Sequence, residues 1–182
     1  MTDVLVFLAE GFEEIEAISA IDIFRRAEFD VQVASLTNDI TVKGAHQIEV
    51  NADITLDTVA EKQFDLIYLP GGGGSAEALR SDPVVQQIIK RHHQAKLKIA
   101  AICAAPIALE EAGILKGHHA TSFPAMKPQI VTPIYEEKSV VISGHIITSR
   151  AAGTTIEFAL TLVSELGYPD LANEISLAIL HK

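Results

Sequence analysis

The chain has 182 residues, 48% hydrophobic and 21% charged, with one cysteine and a formal net charge of −10. That length suits one domain, able to bury roughly 70% of its unfolded surface without disulfide or metal staples. The lone Cys103 excludes an internal disulfide and a cysteine-built zinc site, the acidity disfavours capture of nucleic acid or anionic lipid, and no apolar run nears the about 18 residues of a membrane span.

The first residues lack a basic segment and turn acidic at Glu10, so no signal peptide and a cytoplasmic location are expected. Residues 4–8 form a short unbroken apolar run, the pattern of a strand covered on both faces. From Gly11 the pattern turns helical over 13–27, where Ile15, Ile18, Ile21 and Phe24 recur at threes and predict one core-facing stripe. Residues 31–36 read as the second strand. Between 41 and 56 the pattern suits short strands and turns, around Lys43-Gly44 and Asn51-Ala52-Asp53.

Residues 65–69 are another buried strand, ending in Pro70 and four glycines. A helix starts near Asp82-Pro83, an N-cap followed by proline at the first helical position. Residues 98–102 form a third buried strand that runs through Cys103 into a helical segment over 106–112, closed by Gly113. Residues 140–143 and 146–149 read as a hairpin across Gly144-His145, and helices over 154–166 and 170–180 finish the chain. This alternation predicts a single α/β domain over 1–182, a mostly parallel sheet with helices on both faces.

In a parallel sheet the C-terminal ends of the strands share one edge, where ligands bind. Three strand ends here carry unusual chemistry: the acid cluster Glu13, Glu14 and Glu16, the glycine run after Pro70, and Cys103. A free cysteine among alanines and isoleucines is often a buried small hydrophobe. A sharp strand-to-helix turn instead thrusts its residue out as a nucleophile elbow, and a helix N-terminus is expected to lower the thiol's pKa. That reactive reading is preferred.

Glutamates in a first helical turn need no function, since the helix dipole favours them. Glu16, between Ile15 and Ala17, is the one expected to be partly buried and able to hold or shuttle a proton. The glycine run lacks the GK[ST] ending of a phosphate loop. It is better suited to offering bare N–H groups to an oxyanion or an oxidised sulfur. None of the seven histidines adjoins the thiol. His92-His93 lies in an exposed-looking helix, and His46 and His118-His119 could face the cleft but are read as solvated. No pair has metal spacing, so no metal or cofactor is expected.

Taken together, Ala9-Glu10-Gly11-Phe12-Glu13-Glu14-Ile15-Glu16, Leu69-Pro70-Gly71-Gly72, Ala100-Ala101-Ile102-Cys103-Ala104-Ala105-Pro106 and Thr148-Ser149-Arg150 with Gly153-Thr154 resemble the ThiJ/PfpI superfamily. The closer likeness is to its branch of parkinsonism-associated deglycase and YajL-like bacterial proteins, over nearly the whole length. The resemblance implies a flavodoxin-like, class I glutamine amidotransferase-like fold and a homodimer. It also implies Cys103 as nucleophile, Glu16 as its partner carboxyl, and the N–H groups of Gly72 and Ala104 as oxyanion hole. Gly71, His46, Phe123 and Arg150 are expected to border the cleft.

Three positions depart from the wider pattern. Ala104 stands where peptidase-like relatives carry histidine, which argues against a Cys-His peptidase. Phe123, in Ser122-Phe123-Pro124, stands where the human-type branch has histidine, so proton transfer falls to Glu16. Ala152 replaces a usual proline.

The expected activity is a cysteine-dependent, stress-related conversion of small 2-oxoaldehydes, or of their adducts on glycated proteins, without glutathione. The rival is a redox sensor or chaperone-like protein whose cysteine oxidises to a sulfinate without turnover. A thiazole-biosynthesis role has no specific feature behind it.

Overall fold

The computed structural model describes residues 1–181. In chain order its elements are β1 (Asp3–Leu8), α1 (Glu14–Arg26), β2 (Asp30–Ser35), β3 (Thr41–Lys43), β4 (Glu49–Asn51), β5 (Ile54–Thr55), β6 (Leu66–Leu69), α2 (Gly73–Ser81) and α3 (Pro83–Ala95). They continue with β7 (Lys98–Ile102), α4 (Pro106–Glu111), β8 (His119–Ala120), β9 (Ile134–Tyr135), β10 (Val140–Ser143), β11 (Ile146–Ser149), α5 (Thr155–Glu165) and α6 (Pro169–Ala178).

The apolar runs are strands, and seven of them form one sheet in the order β10-β11-β7-β6-β1-β2-β5. Every pairing in that sheet is parallel except the β10–β11 hairpin. Alternate residues of each strand feed two separate cores. Val4, Val6, Tyr68, Ala100 and Ile102 pack towards α1, α5 and α6, while Leu5, Phe7, Ile67, Ile99 and Ala101 pack towards α2, α3 and α4. Burial on both faces explains the strands' unbroken hydrophobicity. The sheet is flavodoxin-like, and the chain reverses direction across it between β1 and β6, the switch point where such sheets form their cleft.

At α3 the cap expected from Asp82-Pro83 is formed: the Asp82 carboxylate accepts from the N–H groups of Val84 and Val85 at 2.8 and 3.0 Å. One expectation fails in part. Of the expected α1 stripe Ile21 and Phe24 do face the core, with Ala17, Ala20 and Ile23, whereas Ile15 and Ile18 are 55% and 41% exposed. The small Ala17 and Ala20 let the helix lie close on the sheet, which turns the two isoleucines outward. Residues 73–81 form α2, with Gly73 and Gly74 confined to its first turn.

Candidate active site

Cys103 follows β7 with φ at +63°, a left-handed conformation that costs a non-glycine residue about 1–2 kcal/mol. Hydrogen bonds on both sides hold it there. Its N–H donates to the Ser149 carbonyl at 3.0 Å, and its own carbonyl accepts from the Phe123 N–H at 2.7 Å. The turn aims the half-buried thiol at the region bordered by α1 and the loop after β6.

Glu16 comes to the same point from α1 and is fully buried. Its Oε2 accepts from the Gly71 N–H at 2.7 Å, and the Tyr68 hydroxyl donates to its backbone carbonyl at 2.9 Å. Its Oε1 is buried with no hydrogen-bond partner among the described residues. Gly71 shows how tightly acid and thiol are set together. A Cβ there would stand 2.6 Å from Glu16 Oε2 and 2.7 Å from Cys103 Cβ. Gly72, at φ +92°, has no room for a side chain either, since a Cβ would collide with the Gly11 carbonyl.

Burial pushes the Glu16 carboxyl up to about 7, helped by the charge of Glu13 and opposed by its contacts with Cys103 and the Gly71 N–H. Burial likewise pushes the Cys103 thiol up to about 12, with the charge of Glu16 adding to it. This overturns the expected lowering by a helix N-terminus: α4 starts only at Pro106 and has six residues, too little to outweigh burial and a neighbouring acid. The N–H groups of Ala104 and Gly72 do act on the thiol in the lowering direction. Each acid disfavours the other's ionisation, so Glu16 gives up its proton first, near pH 7, while the thiol keeps its own.

A cavity of ≈420 Å³ opens at this point, lined by Glu13, Glu16, His46, Gly72, Gly73, Cys103, Ala104, Phe123, Met126, Ala151 and Ala152. Arg150 is not among its lining residues. His46 stands at the rim with its Nδ1 2.8 Å from Glu14 Oε2, and that carboxylate holds the ring's pKa up. Glu13, Glu14 and His46 together could offer a cation three ligand atoms within 4.8 Å of one another. Glu14, however, already accepts from the N–H groups of His46 and Ile48, so its role is to order that loop.

The reading of His92 as exposed is corrected: it is fully buried, its Nε2 accepting from the Phe64 N–H at 3.1 Å. Sequence reasoning missed Tyr68 behind Glu16. Its one signal was a hydroxyl inside an otherwise aliphatic strand.

Comparison with known proteins shows the family and the fold. Residues 2–165 match the DJ-1/PfpI family. The chain is 39% identical to protein dj-1beta of Drosophila melanogaster over 97% of its own length and 95% of the relative's. It is 30% identical to the glutathione-independent glyoxalase DJ-1 of Schizosaccharomyces pombe, over 96% of each chain. A longer relative, protein DJ-1 homolog B of Arabidopsis thaliana, is 38% identical over 97% of this chain, which spans only 41% of it. Among solved structures, oxidized DJ-1 of Toxoplasma gondii superposes with a TM-score of 0.96 at 35% identity, over 99% of this chain and 98% of that one. Among the described residues no helix is long and apolar enough to cross a membrane.

Proposed function

The chain belongs to the DJ-1/PfpI family, and on that premise we propose that it converts small 2-oxoaldehydes, or their adducts on proteins, to 2-hydroxy acids without glutathione. The observation that carries the reading is a buried carboxyl, with one oxygen unpartnered, set beside the chain's only thiol at the mouth of a cavity.

As Glu16 loses its proton near neutral pH, the pair gains a single negative charge. Cys103 Sγ adds to the aldehyde carbon, and any proton it still holds passes to Glu16. The resulting hemithioacetal oxygen is stabilised by the Gly72 and Ala104 amides. Glu16 first passes the thiol's proton to that oxygen, then takes the C–H proton and returns it to the adjacent carbon, while the hydroxyl proton crosses to the adjacent carbonyl oxygen. The first carbon is oxidised to a thioester while the second is reduced to an alcohol. Water releases the 2-hydroxy acid and restores the thiol, so methylglyoxal plus water gives lactate with no external oxidant. The reading sets the enzyme in a reducing compartment such as the cytoplasm, where a lone thiol survives.

A sensor role is the second reading. Its support is the same unpartnered Glu16 oxygen, which once protonated would donate to a Cys103 sulfinate, and the oxidized Toxoplasma relative. One experiment separates the two: purified protein with methylglyoxal and no glutathione, assayed for lactate, and in parallel mass spectrometry after mild peroxide. Steady lactate formation by unmodified protein supports the enzyme. Two oxygens gained on Cys103 with no lactate at any dose would replace it with the sensor.

A homodimer is part of the same reading. Ile15 and Ile18 face outward on α1, and Ile18, Ile156 and Ile179 line a hollow of ≈410 Å³ rimmed by Asp22 and Arg26. Contiguous apolar patches on monomers are small, and larger ones mark contact surfaces. Sedimentation should give the mass of two chains, and Ile18→Lys that of one; a one-chain mass for the unaltered protein would refute pairing.

A further inference from the structure

At the sheet edge opposite Cys103, three histidines from separate parts of the chain meet. His93 lies in the last turn of α3, His118 just precedes β8, and His145 occupies the turn between β10 and β11. Their ring centres are 4.9 Å (His93–His145), 5.7 Å (His118–His145) and 6.0 Å (His93–His118) apart. Imidazoles bound to one tetrahedral ion through nitrogens at roughly 2.0–2.1 Å have ring centres about 5 Å apart. We propose that His93, His118 and His145 form a binding site for a divalent transition-metal ion of the zinc class.

Nε2 of His145 already lies 2.9 Å from Nδ1 of His93, one nitrogen donating and the other accepting. Two nitrogens on one tetrahedral ion stand about 3.3 Å apart, so the ion replaces this hydrogen bond after a widening of a few tenths of an ångström. The proton between them moves to the donor ring's other nitrogen, and the neutral rings release none.

His118 is prepared by a separate contact. Its Nδ1 lies 3.1 Å from the Ser143 carbonyl oxygen and 3.0 Å from Ser143 Oγ. The carbonyl can only accept, so Nδ1 carries the hydrogen and Nε2 the lone pair. A backbone carbonyl on the non-ligating nitrogen is the usual support of a metal-bound histidine. The His118 ring stands edge-on to the other two, and its Nε2 has to swing towards them to complete the site, since the three nitrogens do not yet lie within 4.8 Å of one another.

Charge and protonation are compatible with a cation. Burial, His93, Lys96, His118 and Lys98 together push His145 down to about 4, and burial with Lys96 and His118 lowers His93. Neutral imidazole is the ligating form, so protons do not compete near pH 7. Of the two lysines, Lys98 is paired with Glu165 at 2.8 Å. Zinc, nickel and copper are the divalent ions that imidazole suits.

The test uses untagged protein carrying Cys103→Ala and His46→Ala, which removes the thiol and rim histidine of the cavity as competing ligands. Equilibrium dialysis against zinc chloride at pH 7.5 should give one bound zinc per chain, with a raised Tm. His145→Asn and, separately, His118→Gln should each weaken binding at least about tenfold, the least that losing even an outer-shell partner costs. His118 is half-buried, so its variant decides the matter if His145→Asn loses its fold by circular dichroism. Absence of stoichiometric zinc, or binding unchanged in His118→Gln, overturns the site and leaves the three rings as packing. The readout is independent of aldehyde turnover.

Discussion

Cys103→Ala should abolish lactate formation from methylglyoxal, a loss on the order of 10⁴-fold or more, because no other thiol exists to form the hemithioacetal. The fold should survive. Alanine at φ +63° meets the same backbone cost that cysteine already bears, and truncating one half-buried sulfur changes stability by about 1 kcal/mol or less. Cys103→Gly provides the control. It relieves the left-handed strain and should melt no lower than Cys103→Ala, while being equally inactive. Lactate produced at near the original rate by either variant would remove Cys103 from the chemistry.

Glu16→Gln should lower kcat/KM by about 10²–10⁴-fold, the range for losing a positioned acid–base group. The pH profile is the sharper readout. With the pair's first proton leaving near pH 7, kcat/KM of the unaltered enzyme should rise as pH increases through about 7 and fall below it. The variant should lose that limb. Stability follows the same group. A carboxyl raised from 4.5 to about 7 stabilises the folded state fully below pH 4.5 and loses that contribution as pH climbs through 7, about 3 kcal/mol in all. Tm of the unaltered protein should therefore fall between pH 4.5 and 8 relative to Glu16→Gln. Parallel Tm curves for the two would show that Glu16 does not titrate in this range.

The sheet was legible in the sequence because burial on both faces writes continuous apolar runs, as at β1, β6 and β7. The convergence at the switch point followed, since parallel strands must end on one edge. Strand order was not legible: nothing in β1 itself says that β2 and β6 will flank it. Half of the α1 stripe, Ile15 and Ile18, was misread because alanine can face a core as well as isoleucine, and period three alone does not say which side is inside. The titration of Cys103 was misjudged for a related reason. Helix position is visible in sequence, but depth of burial and a facing carboxyl are not. The histidine trio lies at 93, 118 and 145, positions that only the fold brings together.

Four identical letters after Pro70 carry unequal constraint. Gly71 is fixed by the acid and thiol packed against its Cα, and Gly72 by its φ and the Gly11 carbonyl. Gly74 has the Glu10 carbonyl 3.3 Å from where a Cβ would sit, while Gly73 has nothing within 4 Å. Sequence drift through this loop is therefore channelled to a single site, position 73 at the start of α2. Alanine there would favour the start of α2 and meet no atom within 4 Å, at a residue that lines the cavity beside Cys103. The run that looks most expendable thus holds two residues with no room for a side chain, a third with little and a fourth with open space.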